Sequence, residues 1–353
     1  MQNSFRDQGT AEAISKNRGY ELLEDAFGME MVEVLKRDDV VEVYCNSDSE
    51  NMWIEYAGRG KEKSDIKINS ASRLAIIKIV ASFCKTIADK SNPILTAELP
   101  KYGYRFEASL PEISLMPSFN IRKPAMVVFT LEDYVAQGVM TDKQKQVIEL
   151  AVKKKLNIVI AGGTGSGKTT LSNAVLQEVS KTGDRLIIIE DTRELRCTAE
   201  DYESLRTSYE VNTRMLIRTS MRRRPDRIIV GEVRDGAAYD LLKAWNTGHP
   251  GGVSTTHANS AVETFKRLES LALEAGGDGI SSPPIEVIKD LIGSTVRLVV
   301  FISRSAEIVD GRLIKSRKVK DVVLVEGYDF TCSRYLVETD IDNVMRKVES
   351  IVL

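Results

Sequence analysis

Residues 157–176, "NIVIAGGTGSGKTTLSNAVL", decide how the rest of this chain reads. A short β-branched apolar run ends in a glycine-rich loop, and a helical pattern with Leu171, Ala174, Val175, Leu176 and Val179 on one side follows, closing at Gly183 as a suitable C′ residue. Within it, "GGTGSGKT", Gly162 to Thr169, satisfies GxxxxGK[ST] between a strand and a helix, where such a loop can work. Glycines let the backbone turn tightly enough to point N–H groups at phosphate oxygens, and the helix N-terminus adds partial positive charge. The expected nucleotide cradle is Gly162, Gly163, Thr164, Gly165, Ser166, Gly167, Lys168, Thr169 and Thr170. Lys168 would reach the β- and γ-phosphates of ATP, and Thr169 would present its hydroxyl to Mg²⁺.

Outward from the loop, "RLIIIE", "RIIVGE", "GVSTTH" and "VRLVVFI" repeat the short apolar character of "LNIVIAG" between helical segments. Runs of this kind, buried on both faces, belong to a parallel sheet between helices. "AEIVDGRLIKSR" reads as a hairpin turning at Asp310-Gly311. Upstream the character differs. "GYELLEDAFGMEMVEVLKRDD" has helical spacing, and "VVEVYCNS" and "NMWIEYAG" alternate as a hairpin. "SASRLAIIKIVASFCKTIADK" is an amphipathic helix with Ser70 or Ser72 as N-cap, and "YRFEASL" and "SFNIRK" are strands. The predicted organisation is α/β: a RecA-like P-loop NTPase domain over 142–353, capped at Thr141 or Asp142, preceded by a smaller α+β domain over 1–123. Residues 1–17 are expected to be loosely ordered and 124–141 to be a linker.

Composition narrows the class. At 353 residues, two domains are the default, and 28% charged with 42% hydrophobic residues fits a globular chain. Lys and Arg number 49 against 51 Asp and Glu, which argues against a general nucleic-acid coat. Cys45, Cys84, Cys197 and Cys332 have no ligand-like pairing and read as free thiols. No apolar run approaches the ~18 residues needed to span a bilayer, and the polar N-terminus lacks a signal-peptide core, so a cytoplasmic protein is expected.

Hydrolysis needs acids and charge-neutralising groups beside the cradle. "LIIIEDTREL" supplies Glu190 and Asp191, with Glu194 beyond, and "RIIVGEVRD" supplies Glu232 in the position of a Walker B acid. In a parallel sheet these strand ends converge on the ligand crevice. Thr169 and Glu232 would serve the metal, and Glu190 or Glu194 the attacking water. Arg218, Arg222, Arg223, Arg224 and Arg227 tempt a DNA-binding reading, but no aromatics are interleaved among them. The alternative is pairing with acids or phosphates.

These boxes together resemble the secretion ATPases of type II and type IV systems, in particular the conjugal-transfer ATPases of the TrbB type. The P-loop, "IIIEDTREL", "RRRPDRIIVGEVR" and "GHPGGVSTTHANS" occur in family order, and "PILTAELPKYGYRFEASLPEIS" with "FNIRKP" matches the first domain. The resemblance covers about residues 20–330. It implies a homohexameric ring on the cytoplasmic face of the inner membrane, working with inner-membrane components of a secretion or conjugation complex. It also implies that Arg105 and Arg122 approach the terminal phosphates. Glu112 stands where the family usually carries a second proline. A pilus assembly or retraction ATPase or a type II secretion ATPase would share the boxes; a nucleic-acid translocase or a nucleotide-regulated scaffold would be rivals of another class.

His249 and His257, the chain's two histidines, lie in "TGHPGGVSTTHANS". Neither HxxxH nor HExxH occurs and no Cys is near, so a metal site is disfavoured. His257, at a strand end ahead of a Ser260–Glu263 capping box, is placed to sense a γ-phosphate or a neighbouring acid. His249 leaves a structural and a site role both open.

Overall fold

The structure is a computed structural model. It describes the backbone of residues 2–57, 59–124, 128–208, 210–276, 281–309 and 312–352, and the side chains of these except 2–14, 306–309 and 312–315. The chain divides into two compact units, Met1–Met126 and Val127–Leu353.

The first unit begins with α1 (Gln2–Phe27) and α2 (Met29–Lys36), separated by Gly28, whose φ of 78° ends the first helix. Residues 1–17, expected to be loosely ordered, thus largely belong to α1. The segment lacks Pro and carries Ala11, Glu12 and Ala13, so nothing in it stops α1 from running back past its apolar positions. The strands are β1 (Val40–Cys45), β2 (Asn51–Tyr56) and β3 (Gly60–Lys67), then, after α3 (Ser70–Phe83), β4 (Ile94–Leu99), β5 (Tyr104–Ser109) and β6 (Ser118–Arg122). They form one antiparallel sheet in the order β3-β2-β1-β6-β5-β4. The alternation puts Val43, Ile54, Phe106, Phe119 and Ile121 on one face, in a core with Leu23, Met31, Leu35, Ile76 and Val80. Asn69, rather than Ser70 or Ser72, caps α3 and accepts the Ser72 N–H at 2.9 Å. Arg73 is fully buried and donates to the Ile68, Asn46, Pro117 and Ser49 carbonyls, tying three loops to α3.

The second unit opens with α4 (Leu131–Ala136) and α5 (Asp142–Lys153), with capping boxes Thr130–Asp133 and Thr141–Gln144. The segment expected to be a linker therefore contains a capped helix, and Leu131, Tyr134 and Met140 are buried in this unit's core. The order continues β7 (Ile158–Ala161), α6 (Lys168–Ser180), β8 (Leu186–Glu190), β9 (Tyr202–Arg206), α7 (Thr213–Ser220), β10 (Arg227–Val230), α8 (Ala237–Asn246), β11 (Val253–Thr256), α9 (Glu263–Leu273), α10 (Ile285–Thr295), β12 (Leu298–Val309), β13 (Arg312–Asp329), β14 (Arg334–Glu338) and α11 (Ile341–Ser350). The sheet order is β14-β13-β12-β7-β11-β10-β8-β9, parallel from β12 to β9, with β13 and β14 antiparallel at one edge. Cores lie on both faces: Val147, Leu171, Val175 and Val344 on one, Leu241, Trp245, Phe265 and Ile292 on the other. The architecture is α/β. Its five expected strands are all present, and β12 and β13 pair out to Val309↔Arg312. The Asp310-Gly311 turn lies outside the described residues. Gly183, at φ 75°, follows the C-cap Lys181 by two residues rather than one.

Candidate functional site

The site lies where β7, β8, β10 and β11 end. Between β7 and α6 the loop turns through Gly165 at φ 69° and Gly167 at φ 98°, backbone that side-chain-bearing residues rarely adopt. A Cβ on Gly162 would sit 2.2 Å from the Ile302 carbonyl oxygen and 2.6 Å from Ser166 Oγ, so the loop packs hard onto β12 at its base. Lys168 is 8% exposed and folds back over the loop, donating to the Gly162 and Gly163 carbonyls at 3.0 and 3.1 Å.

Opposite the lysine stands His257, just past β11. Lys168 Nζ lies 3.3 Å from its Nδ1 and 3.4 Å from its Nε2. Burial, then the lysine charge, holds the imidazole below its ordinary pKa, so it is neutral at neutral pH. Its Nε2 is 2.9 Å from Glu232 Oε1, a close approach without hydrogen-bond alignment, which leaves that buried oxygen unsatisfied. Glu232 Oε2 accepts from Arg234 Nη2 at 2.6 Å, and Arg234 Nη1 lies 3.4 Å from Asp191 Oδ2. The structure therefore brings Lys168, His257 and Glu232 together. Arg234 joins them to the loop after β8. Beside that loop, Asp191, Thr207, Asn212, Glu232, Arg234 and Asp235 line a cleft of about 250 Å³.

Glu190 sits differently. Only 6% exposed, it accepts the backbone N–H groups of Glu194 and Leu195 through Oε1 at 2.9 and 2.8 Å. Burial pushes its carboxyl up to about 7. Glu194 is half-buried on the same loop, which Asn173 of α6 grips by donating to the Glu194 carbonyl and accepting the Arg196 N–H. His249 is elsewhere, with Nδ1 3.0 Å from the Pro225 carbonyl oxygen. Of the Ser260–Glu263 box, the structure has Ser260 Oγ accepting the Glu263 N–H at 3.1 Å.

In the first unit, Arg105 on β5 and Arg122 on β6 are direct cross-strand partners, flanked in register by Glu98 on β4 and Glu42 on β1. This acid–arginine–arginine–acid row lies on the sheet face away from the core. The sequence alone missed Arg234, although its spacing of two from Glu232 in extended chain puts both on one side. Three of the five arginines in the cluster are engaged: Arg218 holds Asp240 together with Arg214, Arg223 pairs with Glu203, and Arg227 is buried on Asp184 at 2.7 Å, whereas Arg222 and Arg224 are exposed.

The residues fit a nucleotide and a divalent cation. The cradle glycines and Lys168, folded over the loop, lie here, as do two buried oxygens without a hydrogen-bond partner, Ser166 Oγ of the loop and Glu232 Oε1 beside His257. Among the described residues, no group of three or more His, Cys, Asp and Glu is placed to hold a metal by itself. None of their helices is long and apolar enough to cross a membrane.

With this geometry in place, the class follows: residues 28–318 match the family described as type II/IV secretion system protein, and the chain belongs to it. It is 43% identical over 320 residues to the probable conjugal transfer protein TrbB of Sinorhizobium fredii, covering 90% of this chain and 92% of that one. To the conjugal transfer protein TrbB of Rhizobium radiobacter it is 44% identical over 308 residues, covering 87% and 90%. The Legionella pneumophila ATPase DotB shares the fold, with a TM-score of 0.58 at 18% identity, covering 91% of this chain and 86% of that structure.

Proposed function

We propose that the chain is a Mg-ATP-hydrolysing subunit of a conjugation or type IV secretion apparatus, with a RecA-like domain over about 142–353 acting as the motor. The observation that carries it is the convergence of Lys168, at the start of α6, with Glu232 and His257, just past β10 and β11, on one point beside a P-loop. Mg²⁺, held by Thr169 and Glu232, would neutralise charge on the β- and γ-phosphates. Lys168 binds and orients the terminal phosphates. Glu190 or Glu194 positions the water, with Glu190 able to hold a proton near neutral pH. His257, linking lysine to acid, senses whether a γ-phosphate is bound. Arg105 and Arg122, neighbours on one sheet face, add charge stabilisation as the family resemblance implies. The TrbB relatives are named for conjugal transfer, which supports this apparatus over a pilus or type II system. The ion pairs of Arg218, Arg223 and Arg227 disfavour a nucleic-acid translocase. The working form is a homohexamer docked on inner-membrane components at the cytoplasmic face.

Phosphate release by the wild type and by Lys168→Ala, with native mass in Mg²⁺ and a non-hydrolysable ATP analogue, tests this. Activity lost in the variant and a species near six times 39.3 kDa are expected. Full activity in Lys168→Ala would overturn the chemistry, and a persistent monomer the ring.

A further inference from the structure

The hairpin β12–β13 was legible in the sequence, but no part of the proposed chemistry uses it. Its strands run past the sheet, and at their departure Arg304 and Arg317 are direct cross-strand partners. On the same face, one step back towards the sheet, Ile302 and Val319 are buried in the core that holds α6. The two arginines are therefore aimed along the P-loop side of the hairpin, not away from it. A Cβ on Gly165 would lie 3.4 Å from Arg304 Nη1, and one on Gly167 3.1 Å from Arg317 Cδ. Arg317 Nε is 3.5 Å from the Gly165 carbonyl oxygen. Both side chains are exposed, and no carboxylate of a described residue pairs with either. Like charges directly opposite each other across a strand pair destabilise it, so this pairing is unfavourable unless an anion joins it.

We infer that Arg304 and Arg317 form a second phosphate clamp, supplied in cis by the hairpin, that grips the α-phosphate end of a bound nucleoside di- or triphosphate. The inference rests on the nucleotide reading above. The inner wall of the cradle belongs to backbone N–H groups and Lys168, which take the β- and γ-phosphates. The arginines reach the loop from its outer rim, on the carbonyl side of Gly165. The part of a nucleotide that leaves the cradle there is the α-phosphate. Guanidinium groups suit it because they stay charged and bind two phosphate oxygens at once.

The test is titration of a fluorescent ADP, competed by ADP and by a non-hydrolysable ATP analogue, against wild type, Arg304→Gln/Arg317→Gln, Lys318→Ala and Lys168→Ala. Lys318 is an exposed charge on the hairpin's other face and serves as the control. The double variant is expected to weaken both nucleotides by the same factor, about tenfold or more, because a charge-assisted bond to the α-phosphate is common to both. Lys318→Ala should stay within about twofold. Thermal melting supplies a second readout, with a ligand-free midpoint equal to or above wild type and a smaller upward shift on adding ADP. Unchanged affinities in the double variant, with Lys168→Ala crippled, would overturn the clamp and leave the nucleotide reading standing. Loss confined to the triphosphate would overturn the α-phosphate assignment. Failure of the wild type to bind either nucleotide would instead sink the nucleotide reading itself.

Discussion

Arg234 reaches Glu232 with Nη2 at 2.6 Å and Asp191 with Nη1 at 3.4 Å, so one guanidinium spans the acids after β8 and β10. Its hold on Oε2 fixes the Glu232 carboxylate with Oε1 turned to His257. Arg234 touches no cradle residue, and its effect is exerted through Glu232. Arg234→Ala should therefore lower kcat about 10–100-fold, the usual effect of removing an orienting partner from such a site, while ADP affinity stays within about threefold. Arg234→Lys should recover only part, because an ammonium cannot span both acids. Steady-state phosphate release alongside ADP titration measures the split. Equal losses in both would mean that the arginine binds nucleotide directly.

Glu190 makes stability depend on pH. Burial raises its carboxyl from 4.5 to about 7, and the N–H groups of Glu194 and Leu195 offset this only in part. A raised carboxyl favours the folded state fully below the unfolded value, and that contribution is lost as pH rises from about 4.5 through 7. Above that window the ionised group costs on the order of 3 kcal/mol. Glu190→Gln keeps an acceptor for both N–H groups and cannot ionise. Its melting temperature should gain on wild type by roughly 5–10 °C between pH 5 and pH 8. Parallel melting curves across that range would show that Glu190 is ionised throughout.

Arg227 belongs to the folding core, not to a nucleic-acid surface. It is 1% exposed and donates to Asp184 at 2.7 Å and to the Gly251 and Val152 carbonyls at 3.2 and 3.0 Å. Arg227→Ala should cost about 3–5 kcal/mol, because Asp184 loses its buried partner. Lys155, on the same acid at 2.8 Å, tempers the loss. Urea unfolding reads it. Adding single- or double-stranded DNA should leave wild-type phosphate release unchanged, and stimulation would revive the translocase reading.

How far the sequence could be read depended on which elements bury both faces. Strands β7, β8, β10 and β11 are buried along their whole length and stood out as apolar runs. The missed strands are edges. In β3, "GKEKSDIK", and β9, "YESLR", no residue is fully buried, so neither composition nor alternation marks them. Helix α11 was missed for another reason. Val344 and Val348 anchor it in the core, but it lies past the end of the family match at 318, where no motif points to it. At the site, the P-loop, Glu232 and His257 were legible because spacing after a strand fixes them. Arg304 and Arg317 were not, since their approach to the loop depends on β12–β13 register, a long-range pairing that no local pattern encodes.

The two leading glycines of the loop make opposite predictions, although they are adjacent. Gly162 has the Ile302 carbonyl oxygen 2.2 Å and Ser166 Oγ 2.6 Å from where a Cβ would go, whereas Gly163 has nothing within 4 Å. Backbone cannot yield to a contact of 2.2 Å, so Gly162→Ala must push the loop off β12 and displace the Lys168 acceptors, both of which are carbonyls of this pair. Gly163→Ala meets open space and a φ that is not left-handed, so only the conformational preference of the residue changes. Gly162→Ala should lose ADP binding by tenfold or more with a lower melting temperature, the size expected from overpacking of about 1–3 kcal/mol. Gly163→Ala should bind within about twofold of wild type. Similar losses in both would mean that nucleotide itself fills the space above Gly163, and the cradle would have to be redrawn with its inner wall one residue earlier.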